Sequence, residues 1–305
     1  MTKARFSGVL APVITPFDNN LMPDKDIYVR HCHWLTEQQV GLAVFGTNSE
    51  ANSLSLEEKS TLLAALIEGG IDPMRLMPGT GSCALPDAIQ LTRFAVESGC
   101  AGVLMLPPFY YKGVSDDGLY QFYSEVIQRI ADPALQIYLY HIPQVTQIPL
   151  SIDLIDRLVK AYPDNIAGVK DSSGDWSNTQ AMLDRQWPDF RVFCGSESFL
   201  LQNMRAGGAG CISATANVNP AAIYSLYANW QESTADEKQA ELNTIRDIFQ
   251  SRPMIPALKS ATALCARIPD WHRVRPPLMQ LNQDMLKELE TALDAAYFNM
   301  PGLAD

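Results

Sequence analysis

Short apolar runs alternate with amphipathic stretches along most of the chain. Several of the runs are nearly continuous, such as residues 103–106 and 137–140, which is typical of parallel strands that are covered on both faces. The stretches between them show helical spacing, and Ser55-Leu-Glu-Glu58 resembles a capping box that opens a helix extending to Ile67. The pattern predicts eight strands, at residues 8–15, 42–46, 75–79, 102–106, 136–140, 166–170, 191–194 and 210–213.

The number of strand–helix units favours one α/β architecture. Eight units within about 230 residues match the size of a (β/α)8 TIM barrel. A doubly wound open sheet is the alternative, but it usually has fewer strands, and no Gly-x-Gly-x-x-Gly motif follows the first strand of this chain. We therefore predict a barrel over residues 1–232 that carries the active site. Helical patterns separated by prolines fill residues 233–305 and predict a small helical extension packed on the barrel.

Charge and hydropathy disfavour nucleic acids and membranes as partners. The chain has 23 Lys and Arg against 34 Asp and Glu, a net charge of −11, which disfavours non-specific binding to nucleic acid or to an anionic membrane. No segment approaches the roughly 20 consecutive apolar residues that a membrane-spanning helix needs. Residues 1–7 lack the apolar core of a signal peptide. We expect a cytoplasmic protein.

The cysteines and histidines do not predict a metal site. Six cysteines are scattered along the chain without a Cys-x-x-Cys pair, which fits buried thiols in a reducing compartment better than disulfides or zinc ligands. The triplet His31-Cys32-His33 lies in a helical pattern, where positions two apart do not share a face. We expect neither a metal nor an organic cofactor.

A single lysine ends the predicted strand at residues 166–170. Barrel enzymes build their sites at the carboxyl ends of strands, and there the stem of Lys170 would lie in apolar surroundings. Burial disfavours the charged ammonium, so a neutral amine becomes available to attack a carbonyl group. In the alternative interpretation, Lys170 only extends from the strand end to solvent.

The ends of other predicted strands carry hydroxyl and amide groups. A tyrosine phenol such as that of Tyr140 suits the proton transfers of imine formation. Thr47 and Asn48, with their backbone N–H groups, are suitable donors for the carboxylate of a 2-oxo acid. Taken singly, Tyr140 is a common core aromatic residue and the other two are ordinary turn residues. Their joint occurrence with Lys170 favours a Schiff-base site.

Five motifs carry a resemblance to a known family. They are Gly46-Thr-x-x-Glu50, Pro108-Phe-Tyr-Tyr111, Tyr140-x-Ile-Pro143, Gly168-Val-Lys-Asp-Ser172 and Ile212-Ser-Ala-Thr-Ala-Asn-Val218. With them, the sequence resembles the dihydrodipicolinate synthase and N-acetylneuraminate lyase family of class I lyases over nearly its whole length. The resemblance implies a (β/α)8 barrel, a homotetramer, and an imine between a lysine and pyruvate or another 2-oxo acid.

The resemblance also assigns roles to individual positions. Lys170 matches the Schiff-base lysine and Tyr140 the phenol that shuttles protons beside it. Thr47 and Asn48 match the pair that holds the carboxylate of the 2-oxo acid.

Two further positions match the motifs of the family. Tyr110 matches a tyrosine that reaches into the site of a neighbouring subunit, with Tyr111 as the alternative one residue on. Ile212 matches a residue whose backbone carbonyl lies close to the lysine. The resemblance therefore implies a site to which a second subunit contributes.

Three positions depart from the pattern, one of them His141, where asparagine is common. Dihydrodipicolinate synthases have an arginine two residues after the proline of the fifth-strand motif, where it grips the second carboxylate of the substrate. Val145 stands there in this chain, and a valine cannot form a bidentate cationic clamp. Ser49 replaces the second glycine of the motif at residues 46–50, which would alter the turn if this position needs a positive φ.

The residues expected around the distal part of the substrate give conflicting indications. This pocket is expected to contain His141, Gln144, Ser172, Ser196 and Glu197. The set suits the hydroxyl groups of a sugar-acid tail, because Glu197 would repel a second carboxylate. Other segments resemble 4-hydroxy-2-oxoglutarate aldolases, whose substrate has a second carboxylate. Both substrate classes stay open.

The function that we predict is that of a class I aldolase. It would cleave a 4-hydroxy-2-oxo acid or a 2-keto-3-deoxy sugar acid to pyruvate and an aldehyde. The alternatives are a dihydrodipicolinate synthase that condenses pyruvate with aspartate semialdehyde, a 2-keto-3-deoxy sugar acid dehydratase, and a barrel that binds 2-oxo acids without turnover. A flavin- or phosphate-binding barrel is disfavoured, because Gly207 and Gly208 precede the last strand and do not follow it.

Overall fold

The computed structural model describes residues 4–304, which form two compact units. Unit 1 comprises residues 4–8 and 73–212, and unit 2 comprises residues 9–72 and 213–304. Residues 1–3, part of the segment on which the signal-peptide expectation rests, lie outside the described range, as does residue 305. The barrel and extension boundary near residue 232 stays a prediction.

Parallel strands and α-helices alternate along the described residues. The seven strands are β1 Gly8–Ala11, β2 Gly41–Leu42, β3 Val103–Met105, β4 Ile137–His141, β5 Ile166–Asp171, β6 Arg191–Cys194 and β7 Gly210–Ile212. The twelve α-helices are α1 Lys25–Glu37, α2 Leu56–Glu68, α3 Leu85–Glu97, α4 Asp116–Ile130, α5 Pro143–Thr146, α6 Ile152–Ala161, α7 Trp176–Leu183, α8 Leu200–Arg205, α9 Pro220–Ala228, α10 Ala235–Gln250, α11 Met254–Ala266 and α12 Gln283–Ala295. The chain is therefore an α/β protein, as predicted.

Unit 1 contains a parallel sheet in which β3, β4, β5, β6 and β7 pair in sequence order. The strands are short and almost completely buried, which explains their continuous apolar sequences. Unit 2 contains the pair β1–β2, in which Leu10 is aligned with Gly41 and Ala11 with Leu42. It also contains α1, α2 and α9–α12, so the segment with proline-separated helical patterns does form helices.

The strand predicted at residues 75–79 is not a regular strand. Arg75 ends a 3-10 helix that begins at Pro73, and Gly79 pairs with Leu104 as a single parallel bridge. Pro78 accepts a hydrogen bond from Leu104 N at 2.9 Å, but a proline has no N–H to return to a neighbouring strand. Extended chain therefore lies beside β3 without a full ladder, and the third of the eight predicted strands is wrong in this respect.

A glycine sets the close approach of β5 to β6. A Cβ atom at Gly168 would lie 2.3 Å from Arg191 O and 2.9 Å from the Tyr138 ring. Gly168 is aligned with Arg191, and two residues later Lys170 is aligned with Phe193. Since any side chain at 168 would push the strands apart, this glycine fixes the position of the strand that carries Lys170.

The predicted capping box is confirmed at the start of α2. The Ser55 Oγ accepts from Glu58 N at 3.1 Å, and Ser55 N donates to Glu58 Oε2 at 2.8 Å. The reciprocal pair satisfies two backbone donors that a helix start leaves without intrahelical partners.

The His31-Cys32-His33 triplet is divided between two environments. His31 packs against Trp34 and Trp271, with ring centroids 5.6 Å and 5.0 Å apart. The Nε2 atom of His33 instead lies 2.8 Å from Gly69 O. The helix thus directs the two imidazoles to different neighbours, as expected for positions two apart.

Four of the six cysteines are buried and Cys83 is exposed, so the expectation of buried thiols holds for most of them.

In the part of the chain that the structure describes, no helix is long and apolar enough to cross a bilayer.

Candidate active site

Lys170 is buried in β5 beside Tyr140. The residue is 2% exposed, and its Nζ lies 4.2 Å from the centroid of the Tyr140 ring. The alternative interpretation, in which the lysine only extends to solvent, is therefore excluded. Burial against an aromatic ring is the environment that a nucleophilic lysine requires.

The pairing of β4 with β5 produces this contact. Tyr140 and Lys170 are aligned in the parallel ladder, and on the other side Lys170 is aligned with Phe193 of β6. Aligned residues of neighbouring parallel strands point to the same face of a sheet. Tyr140 and Phe193, both buried, thus flank the lysine on either side.

The next residues on the two strands point to the opposite face, because side chains alternate along a strand. There the Nδ1 atom of His141 accepts from Leu150 N at 3.0 Å, and its Nε2 lies 4.0 Å from Asp171 Oδ1. Burial lowers the pKa of His141, against the opposing effect of the Asp171 charge. The His141 imidazole therefore lies on the opposite face from Tyr140, with Leu150 N and Asp171 as its neighbours.

Asp171 is a hydrogen-bond acceptor for the loop and the helix that follow the lysine. Its carboxylate accepts from Ser173 N at 2.9 Å, from Asn178 Nδ2 at 3.0 Å and from Thr179 Oγ1 at 2.7 Å. These bonds fix the end of β5 to α7. The period of two along a buried strand is the signal in the sequence that Asp171 faces away from Lys170.

Two buried thiols lie near the lysine. Cys194 and Cys211 are aligned on β6 and β7, and their hydrogen bond, burial and the charge of Glu197 raise the pKa of Cys211, whereas the charge of Lys170 opposes the rise. Cys211 is thus within electrostatic reach of both Glu197 and Lys170, and its thiol stays protonated. Glu197 is itself buried, at 1% exposure.

The short helix α5 carries the residues expected to recognise the distal part of the substrate. Gln144 donates to Ser172 O at 2.5 Å, so the structure brings these two predicted residues together. Val145 is 57% exposed and has room for a larger side chain. Ser196, by contrast, uses its hydroxyl to accept from Ser198 N at 3.2 Å.

The tyrosine pair after β3 lies on the surface of unit 1. Tyr110 and Tyr111 are 73% and 72% exposed, and their rings meet edge to face with centroids 5.3 Å apart. Lys112 donates to Thr146 O at 2.7 Å, which holds this loop against α5. The structure therefore does not distinguish Tyr110 from Tyr111 by exposure, and the contribution of either to a second subunit stays a prediction.

Thr47 and Asn48 lie in unit 2, in the 3-10 helix Thr47–Ser49, and both are half-buried. Ser49 has the ordinary backbone of that helix, and its Oγ accepts from Gly46 N at 3.1 Å. The left-handed position is Glu50, with φ 56°. The serine that replaces glycine therefore caps the turn without strain.

Among residues 4–304, no group of three or more histidine, cysteine, aspartate or glutamate side chains could hold a metal ion.

Ile212 is fully buried at the end of β7. The described neighbours of Lys170 include the Tyr140 ring and, within electrostatic reach, the Cys211 thiol.

A parallel α/β fold with a buried lysine beside a tyrosine is the arrangement that a class I lyase, which acts through a Schiff base, requires. Residues 5–296 match the model of the dihydrodipicolinate synthetase family. The chain belongs to this family.

Individual relatives resemble the chain over almost its full length. A DapA-like lyase of Chloroflexus aurantiacus is 30% identical, over 94% of this chain and 96% of the relative. The crystal structure of dihydrodipicolinate synthase from Agrobacterium tumefaciens is 31% identical, with a TM-score of 0.87 over 95% of this chain and 99% of that one. YagE, a prophage protein of the same family from E. coli K12, was solved in complex with pyruvate; it is 26% identical, with a TM-score of 0.89 over 96% and 99% of the two chains.

Proposed function

We propose that this lyase is an aldolase that cleaves a 4-hydroxy-2-oxo acid or a 2-keto-3-deoxy sugar acid to pyruvate and an aldehyde. The observation that carries the proposal is the buried Lys170 amine, 4.2 Å from the centroid of the Tyr140 ring. The complex of YagE with pyruvate supports a 2-oxo acid as the ligand.

The proposed reaction begins when Lys170 Nζ attacks the C2 carbonyl and water leaves, which gives an imine. Tyr140 takes the proton of the C4 hydroxyl, the C3–C4 bond breaks, and the imine accepts the electron pair as an enamine. The aldehyde leaves, C3 is protonated, and water hydrolyses the imine to release pyruvate. The imine is the electron sink, so the chemistry requires no cofactor.

The remaining roles follow from the family motifs. In this proposal Thr47 and Asn48 hold the carboxylate of the substrate, Thr47 takes part in proton transfer, and the Ile212 carbonyl borders the reacting carbon. Tyr110 comes from a neighbouring subunit of a homotetramer. The fold is proposed to be a closed (β/α)8 barrel, and the protein to act in the cytoplasm on small 2-oxo acids.

Val145 favours cleavage over lysine biosynthesis. It lies on α5 next to Gln144, whose amide donates to Ser172 O, and it offers no cation for a second carboxylate. The alternative substrate classes differ mainly in this distal group. Val145, Gln144, Ser172 and Glu197 are therefore the residues proposed to choose the aldehyde partner.

Borohydride reduction in the presence of pyruvate tests the mechanism. We expect loss of activity and a pyruvate-derived mass on the peptide that contains Lys170. The Lys170→Arg variant, which cannot form the imine, should show no adduct, whereas Lys160→Arg, at an exposed position of α6, should be labelled like the wild type. Binding of pyruvate without an adduct would instead indicate a non-catalytic 2-oxo-acid-binding protein.

Product analysis separates the reaction types. Release of pyruvate and an aldehyde from one member of a panel of 4-hydroxy-2-oxo acids and 2-keto-3-deoxy sugar acids is the expected result. A product that retains the carbon skeleton would mean a dehydratase. Consumption of pyruvate that depends on aspartate semialdehyde would mean a synthase.

A further inference from the structure

A buried ion pair ties the turn that carries Thr47 and Asn48 to helix α11. Glu50 directly follows the 3-10 helix of the turn, and its N–H donates to Thr47 O at 3.2 Å. Its Oε1 lies 2.7 Å from Nζ of Lys259, and both side chains are 0% exposed. All of these contacts lie within unit 2.

The second carboxylate oxygen of Glu50 is also bonded. Glu50 Oε2 accepts from Arg275 N at 2.9 Å, and the Arg275 guanidinium donates to Glu58 Oε2 at 2.8 Å. The Phe17 ring lies 4.4 Å from Lys259 Nζ and 4.8 Å from Arg275 Cζ. We name Glu50, Lys259, Arg275, Glu58 and Phe17 the Glu50 network.

The network holds a backbone conformation that a glutamate does not adopt readily. Glu50 has φ 56° and ψ 34°, in the left-handed region, which costs free energy for a residue with a Cβ atom. A buried ion pair adds little net stability after desolvation, and its best-attested role is to specify geometry. The bond to Lys259 therefore keeps Glu50, and with it the turn, in one conformation.

Lys259 also cancels a negative charge close to the turn. Without it, the Glu50 carboxylate would lie buried behind Thr47 and Asn48, where water screens it poorly. An uncompensated carboxylate at that place repels the carboxylate of a 2-oxo acid.

We propose that Lys259 is a positioning residue for the 2-oxo acid, because through Glu50 it fixes the turn of Thr47 and Asn48 and neutralises the charge behind it. This inference rests on the proposed function, which assigns the carboxylate of the substrate to that turn.

The protonation of Lys259 gives the network a pH dependence. Burial lowers the pKa of Lys259 to about 8, against the opposing effect of Glu50. Burial also lowers the pKa of His272, which bonds Ser260 next to Lys259, so this imidazole titrates well below that range. The charged and titratable groups that face Lys259 or its partners are Glu50, Glu58, Asp18, Arg275 and His272. Lys259 is thus charged at neutral pH and loses its proton above about pH 8.

The rate of borohydride trapping, measured at increasing pyruvate concentrations, distinguishes an effect on substrate positioning from an effect on the chemical step. In Lys259→Met, we expect the half-saturating pyruvate concentration to rise about tenfold while the trapping rate at saturation stays within about twofold. The double variant Glu50→Gln/Lys259→Met removes both charges and should return the half-saturating concentration to within about threefold of the wild type. Leu258→Ala is the matched control, a buried change on the same helix that lowers Tm and leaves half-saturation unchanged.

The outcomes decide the inference in either direction. A folded Lys259→Met protein with unchanged half-saturation, or with loss only in the rate at saturation, overturns it. If this variant does not fold, the pH profile decides: half-saturation should rise above about pH 8 in the wild type and stay flat in the double variant. A flat wild-type profile, or the same rise in both proteins, overturns the inference. Absence of trapping in the wild type would instead overturn the proposed function.

Discussion

Thr179 donates a hydrogen bond of 2.7 Å to Asp171, the residue that directly follows the candidate Schiff-base lysine. Together with the bonds from Ser173 and Asn178, it connects the end of β5 to the first turn of α7. The strand that carries Lys170 is therefore held from its outer face, away from the face on which the amine lies.

Removal of the Asp171 carboxylate should lower the free energy of unfolding and weaken the attachment of the strand end that carries Lys170. Asp171→Ala leaves three donors without their partner, and we expect a loss of about 2–4 kcal/mol in the free energy of unfolding. Urea unfolding measures the loss. Thr179→Ser keeps the hydroxyl and should cost less than about 1 kcal/mol. Equal losses in the two variants would show that the hydrogen bonds to Asp171 do not hold this strand end.

Gly168 should not tolerate even a methyl group. In Gly168→Ala the new Cβ would meet Arg191 O at 2.3 Å, so β5 must move relative to β6. We expect the rate of borohydride trapping to fall about 10- to 100-fold, because a small displacement of a reacting group is costly.

Gly118→Ala in α4 is the matched control for this change. Its Cβ meets the Ser115 Oγ at an ordinary 3.7 Å, and the helix should gain about 0.5–1 kcal/mol. A Gly168→Ala protein that traps pyruvate as fast as Gly118→Ala would show that the spacing of the two strands does not position the lysine.

His31 should make the protein sensitive to acid. Burial lowers its pKa to about 3 from the usual 6.5, so below pH 6.5 the unfolded chain binds a proton that the folded chain does not. Stability should therefore fall as the pH decreases through this window, by about 2–3 kcal/mol between pH 6.5 and 4.5.

Urea unfolding of His31→Phe at several pH values measures this contribution. At pH 8 both proteins are uncharged at this position, so the difference between them reports packing alone. Below pH 6 the variant should lose stability less steeply than the wild type. Parallel pH profiles would contradict the assignment of the acid sensitivity to His31.

Val145→Arg tests the distal specificity. The valine is 57% exposed, so an arginine fits without repacking and adds a cation beside the proposed aldehyde portion of the substrate. We expect kcat/KM to move by about tenfold in favour of substrates with a second carboxylate. Val114→Arg adds the same charge at another partly exposed apolar position of unit 1 and should leave the substrate profile unchanged. The same profile in both variants would remove Val145 from the proposed pocket.

The sequence was most informative where the end of an apolar run also marks the end of a strand. Lys170 and Tyr140 could be found because each ends a buried apolar run, and Ser55 because a capping box is a local signal. The strand at 75–79 was predicted wrongly, because its apolar residues fit a strand whereas Pro78 withholds the backbone donor.

Contacts between distant parts of the chain could not be predicted in this way. Glu50 and Lys259 are 209 residues apart, and no spacing rule connects a turn to a later helix. Lys259 is the single cation of the apolar helix Met254–Ala266. This isolation indicates that the lysine has a buried partner, but it does not indicate which residue the partner is. The alternation of side chains along β4, by contrast, does place His141 and Tyr140 on opposite faces.

The two compact units differ in the order in which their residues are synthesised. Unit 1 has all its residues once synthesis has passed Ile212, whereas unit 2 combines residues 9–72 with residues 213–304. Its N-terminal part therefore lacks contacts such as those of His31 with Trp271 and of Trp34 with Pro301 until the last part of the chain has been synthesised. A nascent chain stalled near residue 212 should thus present the N-terminal segment of unit 2 to chaperones and proteases.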